Sequence, residues 1–374
     1  DLHGYAGELY VERDKREANI INPVFGAHHL RKGGQHARAA AFIEPIAYHC
    51  IHMGYYWIDI MHTLRRINFS KIDNDETRYW MYWHIGSLYM FMGDWEKAKS
   101  ELSKALTVTS QQKHFYHVYN TLAILSRRKG EVILAKKFCQ KSLNIAKNIG
   151  DDLVVSKIYN NLGNIYKNEG KLNLAIEFYQ KSIDITGKIG DAYGMAITYG
   201  NLGSVYYSKS DYNNSEKYYK MALDITEKIG DIHGTSQWTM GLGLVYKDKG
   251  EWDRAIEFYQ KSMDIKRKIG DAHGMAQTYG NLSLVYFDQK KYAESVRLMH
   301  EIFFLFAKLG AAAEVQQAGG ILANFQEELG EGEFNNIAEP VLEQIFKQGV
   351  NWGRHTVVSA QEAREIWERV NKNQ

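Results

Sequence analysis

The middle of this chain repeats itself at a spacing of about forty residues. Residues 191–196 read DAYGMA and residues 271–276 read DAHGMA, while residues 177–182 and 257–262 both read EFYQKS. Self-similarity at this period is typical of stacked repeat architectures, in which each unit buries its apolar face only against its neighbours. Such stacks usually bind other molecules along an extended concave surface. The repeat therefore predicts the architecture well and favours a binding function.

One unit, residues 191–230, carries the signals of two successive helices. Gly190 suits the left-handed conformation that ends a helix, and Asp191 can accept hydrogen bonds from the amide groups that begin the next one. Two series of apolar residues at helical spacing follow, separated by a polar break. The small residues Gly203 and Ala222 allow the two helices to approach closely. The unit is therefore predicted to be a helical hairpin.

This pattern resembles the tetratricopeptide repeat (TPR), in which an aromatic residue, Leu-Gly and Tyr lie on the first helix and Ala, an aromatic residue and Ala on the second. The matching residues are Trp80, Ile85, Gly86, Tyr89, Ala98, Leu102 and Ala105; then Tyr159, Leu162, Gly163, Tyr166, Ala175 and Tyr179; then Leu242, Gly243, Tyr246, Ala255 and Tyr259. The match covers residues 77–310. With Gly-Asp in place of the usual proline, the units are similar to those of the Pins/LGN polarity adaptors and kinesin light chains.

The resemblance implies an all-α fold, a right-handed α-solenoid or superhelix of TPR helical hairpins. We expect irregular N-terminal helical hairpins in residues 1–72, about seven repeats in residues 73–349 and a C-terminal capping helix in residues 350–374. The first segment resembles the junction of STAND-type signalling NTPases, where an arm of hairpins leads into a repeat sensor. Residues 1–5 would then be the tail of a winged helix. Since the chain begins at Asp1, we expect a fragment of a larger protein.

Composition excludes several classes of protein. The 374 residues include 46 basic and 44 acidic side chains, and the resulting net charge of +2 gives no general attraction to nucleic acid or membranes. Cys50 and Cys139 are the only cysteines, which predicts no disulfide framework and fits a reducing cytoplasm. No apolar run reaches the length of a membrane span, and no signal peptide is visible.

Motifs for chemistry are missing from the sequence. It contains no GxxxxGK phosphate loop, no HExxH and no GxSxG, so we expect neither an enzyme nor a bound cofactor in this chain. His49 and His52 lie one helical turn apart, but no cysteine or acidic residue completes a recognisable set of ligands, so no metal site is predicted. We expect an elongated monomer, because each unit contacts only its neighbours.

In TPR proteins the first helix of each hairpin lines the concave groove. Asn161, Asn201 and Asn281 each precede the Leu of the motif, at a position where asparagines of the resembling adaptors hold an extended peptide. An amide side chain both donates and accepts hydrogen bonds, so a row of them can grip a peptide backbone whatever its side chains. The alternative is that these asparagines are tolerated polar residues on a solvated helix face.

The predicted groove differs in chemistry along its length. Its first half contains Arg127, Arg128, Lys157, Asn160, Asn164 and Lys167, which would suit an acidic peptide, a C-terminal carboxylate or a phosphate. Its second half contains Tyr207, Gln237, Met240, Lys247, Gln277 and Phe287, which make it less charged and more apolar than the first half. At the N-terminal mouth, Trp83 fits either an aromatic binding surface or packing against the preceding hairpins. Trp80 is expected in the core.

The favoured function is a binding module that recognises a protein or peptide in its groove, as the sensor and autoinhibitory domain of a STAND-type NTPase in the cytoplasm. A small-molecule effector remains open as a second kind of ligand. The alternative is a free-standing scaffold of the Pins/LGN type, which binds extended peptides of its partners. A P-loop and winged helix upstream in the full-length gene would favour the sensor.

Overall fold

The computed structural model describes residues 27, 30, 32, 34–41, 43, 64–269, 271–310, 312–351 and 357–371. The chain divides into two compact units, Asp1–Ile185 and Thr186–Gln374. The predictions for residues 1–5, for Cys50 and for the pair His49 and His52 lie outside the described residues.

Long helices of similar length make up both units. The first unit contains α1 (Asp75–Phe91), α2 (Trp95–Val108), α3 (Gln112–Arg128), α4 (Val132–Asn148) and α5 (Asp152–Asn168), and the boundary falls within α6 (Leu172–Ile189). The second unit contains α7 (Ala192–Ser208), α8 (Tyr212–Ile229), α9 (Ile232–Asp248), α10 (Trp252–Ile269), α11 (Ala272–Asp288), α12 (Tyr292–Leu309), α13 (Ala312–Leu329), α14 (Glu331–Gln348), β1 (Val350–Asn351), β2 (Val357–Val358) and α15 (Ala360–Asn371).

Successive helices pack as hairpins: α1 with α2, α3 with α4, α7 with α8, and α9 with α10. The prediction of an all-α solenoid of helical hairpins is confirmed. Within the described ranges, no helix combines the length and the apolar character that crossing a membrane requires.

The Gly-Asp pairs end one helix and begin the next, as predicted. Gly190 and Gly230 have φ of 72°, in the left-handed region that favours glycine. The carboxylate of Asp191 accepts a hydrogen bond from the amide of Gly194 at 2.9 Å, and that of Asp231 accepts one from the amide of Gly234 at 3.0 Å. Each carboxylate thereby satisfies one of the amide groups that have no partner within the helix.

On several first helices a glycine lies against a large side chain of the second helix of its hairpin. A Cβ atom at Gly203 would be 2.7 Å from the Tyr219 ring, and one at Gly243 would be 2.6 Å from the Tyr259 ring. Tyr259 is fully buried and Tyr219 nearly so. The predicted close approach at Gly203 is therefore confirmed, because no larger residue fits without displacing the tyrosine.

The C-terminal segment packs back on the second unit. Helix α15 contacts α12 and α14, and Ala363 and Ile366 of α15 are buried there. The two short strands pair antiparallel, with Val350 opposite Val358. Lys308 on α12 donates hydrogen bonds to the Val357 carbonyl and to Glu362. Only a capping helix was predicted here, because strands of two residues carry no periodic signal.

Candidate functional site

Three of the cations on the first helices of the first unit form what we call the cationic surface: Arg127 on α3, and Lys157 and Lys167 on α5. Lys157 is exposed, whereas Arg127 and Lys167 are half-buried. Lys157 and Lys167 are separated by about 15 Å along the axis of α5. Among the residues that the structure describes, neither Arg127 nor Lys157 forms an ion pair.

Burial has placed two of these charges, those of Arg127 and Lys167, in a costly environment. It lowers the pKa of Arg127, and the charge of neighbouring Arg128 lowers it further. Burial also lowers the pKa of Lys167, with the charge of Arg127 as the second cause. The Nε atom of Arg127 is buried and has no hydrogen-bond partner among the described residues. Arg127 therefore carries a half-buried charge without an ion pair among the described residues, and an anionic ligand would stabilise it.

The asparagines of α5 are engaged within the protein. Asn160 is only 9% exposed, and its side-chain oxygen accepts a hydrogen bond of 3.1 Å from Asn164. Asn164 in turn accepts a 2.9 Å hydrogen bond from the hydroxyl of Tyr179 on α6. Asn160, predicted to line the groove, is thus nearly buried in a network that joins α5 to α6, and its part in ligand binding stays a prediction.

Asn161 is half-buried and connects two hairpins of the first unit. Its side-chain nitrogen donates a hydrogen bond of 2.7 Å to the side-chain oxygen of Asn120 on α3. Sequence reasoning missed Asn120, although it stands forty residues before Asn160 and so holds the same position in the preceding repeat. A ligand that uses Asn161 would have to share or replace this hydrogen bond.

The aromatic cluster at the start of the repeats packs against the following hairpin. Trp83 is 7% exposed, and its indole donates a 2.9 Å hydrogen bond to Thr121 on α3. The half-buried Trp80 lies 5.4 Å from the ring of His117, centroid to centroid. Trp83 is thus nearly buried against the following hairpin, and its predicted contact with a ligand stays a prediction. Packing against the preceding hairpins concerns residues that lie largely outside the described ranges.

His117 forms the boundary between this cluster and the cationic surface. Burial, reinforced by the charge of Lys157, lowers the pKa of His117 to about 4. The imidazole is therefore neutral at pH 7, and it adds a hydrogen-bonding group but no charge beside Lys157.

The predicted polar residues of the second unit have different surroundings. Tyr207 donates a hydrogen bond to Asp248, and Lys247 forms an ion pair with the same carboxylate at 3.1 Å. The side chains of Tyr207 and Lys247 are thus both bound to the carboxylate of Asp248. Gln237 and Gln277 are exposed. Asn201 and Asn281 are half-buried, and Asn281 forms no side-chain hydrogen bond with any described residue.

Gln277 and Asn281 line a cavity of about 340 Å³ in the second unit. Its walls come from α11 and α13, and Met299, Ile302 and Phe306 of α12 also line it. Most of the lining is apolar, with three amide groups and the carboxylate of Glu314 as its polar members, which is the usual composition of a ligand pocket.

A buried lysine lies beside this cavity. Lys266 on α10 is 4% exposed, and its ammonium group donates hydrogen bonds to Thr278 at 2.8 Å and to the Gly274 carbonyl at 3.1 Å. Burial lowers its pKa from 10.5 to about 8, opposed in part by the charge of Asp271. The position is held by Thr226 in the preceding repeat, so the lysine is a departure from the repeat pattern.

This lysine makes stability depend on pH. Between about pH 8 and 10.5 the unfolded chain keeps the Lys266 proton and the folded chain releases it, so stability should rise with pH. From pH 7.5 to 9.5 the gain should be about 2 kcal/mol. Urea unfolding of the wild type and of Lys266→Thr isolates this contribution, since all other groups are shared. Parallel stability profiles for the two proteins would rule out the depressed pKa.

Family models match most of the repeat region. One model of the tetratricopeptide repeat matches residues 114–188, 154–228, 194–268 and 234–302, and a second matches residues 81–112. The overlapping matches advance by forty residues, in agreement with the period read from the sequence. None of the curated protein sequences matches the chain significantly.

Solved structures with a similar fold include a STAND protein with a tetratricopeptide repeat sensor from Pyrococcus horikoshii. It is 16% identical with a TM-score of 0.59, and the match covers 90% of this chain and 55% of that protein's length. Apo RapI is 16% identical with a TM-score of 0.54, over 72% of this chain and 99% of RapI. A Rap protein complexed with Competence and Sporulation Factor is 15% identical with a TM-score of 0.54, over 83% and 98%.

The similar structures share one fold with this chain, and the family models match more than half of its sequence. The hairpin packing at Gly203 and Gly243 and the capping at Asp191 provide the structural reason for the match. The chain belongs to the tetratricopeptide repeat family.

Proposed function

We propose that this chain is a peptide-binding sensor module of a larger STAND-type signalling NTPase, and that the cationic surface holds an acidic stretch of its ligand. The observation that carries the proposal is the environment of Arg127, a half-buried guanidinium without an ion pair among the described residues. A TPR array with such a surface is suited to bind rather than to catalyse.

The energetics favour an anionic ligand. A partly buried cation loses hydration, and without a partner this loss is not compensated. A carboxylate or phosphate next to Arg127 and Lys167 would favour their charged forms and restore the pKa values that burial has lowered. Arg127 can form two parallel hydrogen bonds with such a group, while Lys157, about 15 Å from Lys167, would hold a second acidic residue of an extended peptide.

The sensor role is supported by the similarity to the Pyrococcus horikoshii STAND protein, which carries a tetratricopeptide repeat sensor. A Rap protein of the same fold has been seen in complex with Competence and Sporulation Factor. In a sensor, the ligand must bind one state of the whole protein better than the other, and the binding energy at the cationic surface would supply this difference. A full-length gene without an upstream phosphate loop would favour the scaffold instead.

Fluorescence anisotropy with labelled peptide pools tests the proposal. We expect an acidic pool of peptides about 15 residues long to bind at least tenfold more tightly than neutral or basic pools of equal length. The preference should shrink between about 50 and 300 mM NaCl, because exposed charges are screened. Equal binding of the three pools, or an acidic preference that ignores salt, would refute the cationic surface as the site.

A further inference from the structure

One recess of the second unit is filled by the protein itself. A Cβ atom at Gly200 on α7 would lie 2.2 Å from the indole ring of Trp238 on α9, so the indole covers the glycine directly. Trp238 is 5% exposed and packs its ring near that of Tyr219 at 6.2 Å. Glycine on one first helix and tryptophan on the next therefore form a matched pair, 38 residues apart in the sequence.

The same pair of positions recurs eighty residues later, but the second position is occupied by a smaller side chain. Gly280 on α11 corresponds to Gly200, and Ala318 on α13 corresponds to Trp238. A Cβ atom at Gly280 would meet no atom within 4 Å, and both Gly280 and Ala318 line the cavity of about 340 Å³. The cavity thus lies where the indole ring of Trp238 stands two repeats earlier, and here the chain supplies only the methyl group of Ala318.

The lining of the cavity matches an aromatic occupant with a polar attachment. Apolar side chains such as Leu284, Ile302 and Phe306 line it, and a dry apolar cavity of about 150 Å³ already accepts benzene. The half-buried amide of Asn281 also lines the cavity and forms no hydrogen bond with the described residues. A peptide that inserts a ring here could pair its backbone with this amide.

We propose that this cavity binds an aromatic side chain of a peptide ligand, in the place that Trp238 holds two repeats earlier, while Asn281 hydrogen-bonds to the peptide backbone. The proposal rests on the peptide-binding function proposed above, but it uses none of the residues of the cationic surface. Burial of the ring supplies affinity, since aromatic side chains dominate the energetics of such contacts.

The test uses the methionine methyl groups that line the cavity as reporters. In ¹³C-methyl-methionine NMR, titration with N-acetyl-tryptophanamide should shift Met240 and Met299 in a saturable way. N-acetyl-alaninamide should leave both signals in place. Equal shifts from both amides would overturn the proposal, and so would binding of indole without binding of N-acetyl-tryptophanamide, since the occupant would then be a free small molecule.

Two variants fill the cavity by independent routes. Ala318→Trp restores the pair found at Gly200, and Gly280→Leu fills the space from α11; each should weaken N-acetyl-tryptophanamide binding at least tenfold. Should one of them fail to fold, the other still decides the question, and unchanged binding in a folded variant would contradict the proposal. The double variant Lys157→Glu/Lys167→Glu should bind this probe normally, so failure of the cationic surface is seen separately from failure of the cavity.

Discussion

Replacement of Gly203 by leucine is expected to lower the free energy of unfolding of the second unit by about 3 kcal/mol. A Cβ atom at this position would lie 2.7 Å from the ring of Tyr219, which is itself buried. The Gly203 carbonyl also accepts a 2.8 Å hydrogen bond from the buried hydroxyl of Ser215, so α7 cannot move away from α8 without losing it. Urea unfolding followed by circular dichroism measures the change.

Gly280→Leu is the matched control, because it makes the same substitution on another first helix of the same unit. No atom lies within 4 Å of a Cβ at Gly280, and leucine is the better helix former by up to about 1 kcal/mol. Its stability should therefore be equal to or greater than that of the wild type. Similar losses in the two variants would contradict the contact between Gly203 and Tyr219.

The hairpins could be predicted because their signals are local. The Gly190-Asp191 pair ends and begins helices through contacts within four residues, and the spacing of apolar residues sets the buried face of each helix. The small residue at Gly203 was recognisable for the same reason, since its partner Tyr219 lies within the same repeat. Repetition then made each local signal visible several times.

The details of the candidate site depend on contacts between repeats, which the pattern within one repeat does not specify. Trp83 donates a hydrogen bond to Thr121 of the following hairpin, and Asn161 donates one to Asn120 of the preceding hairpin. The cavity at Gly280 arises from the size of Ala318 in the next hairpin. A comparison of residues 38 apart across successive repeats would have found that pair.

Reversing two charges of the cationic surface should weaken the binding of an acidic peptide about 100-fold or more. Lys157→Glu/Lys167→Glu removes two charge-assisted hydrogen bonds worth about 1.5 kcal/mol each and adds repulsion. The exposed Lys157 tolerates the change, and the half-buried Lys167 requires a check of helicity by circular dichroism. Lys137→Glu/Lys141→Glu, on exposed positions of α4, changes the net charge equally without touching the surface.

Titration of the tightest-binding acidic peptide into the wild type and the two double variants is the most direct test of the proposed binding site. We predict that the α4 double variant binds within about threefold of the wild type, while the α5 double variant loses at least about 100-fold with its helicity intact. Equal affinities for the two double variants, both folded, would show that the acidic ligand binds elsewhere and would contradict the assignment of Arg127, Lys157 and Lys167 as its site.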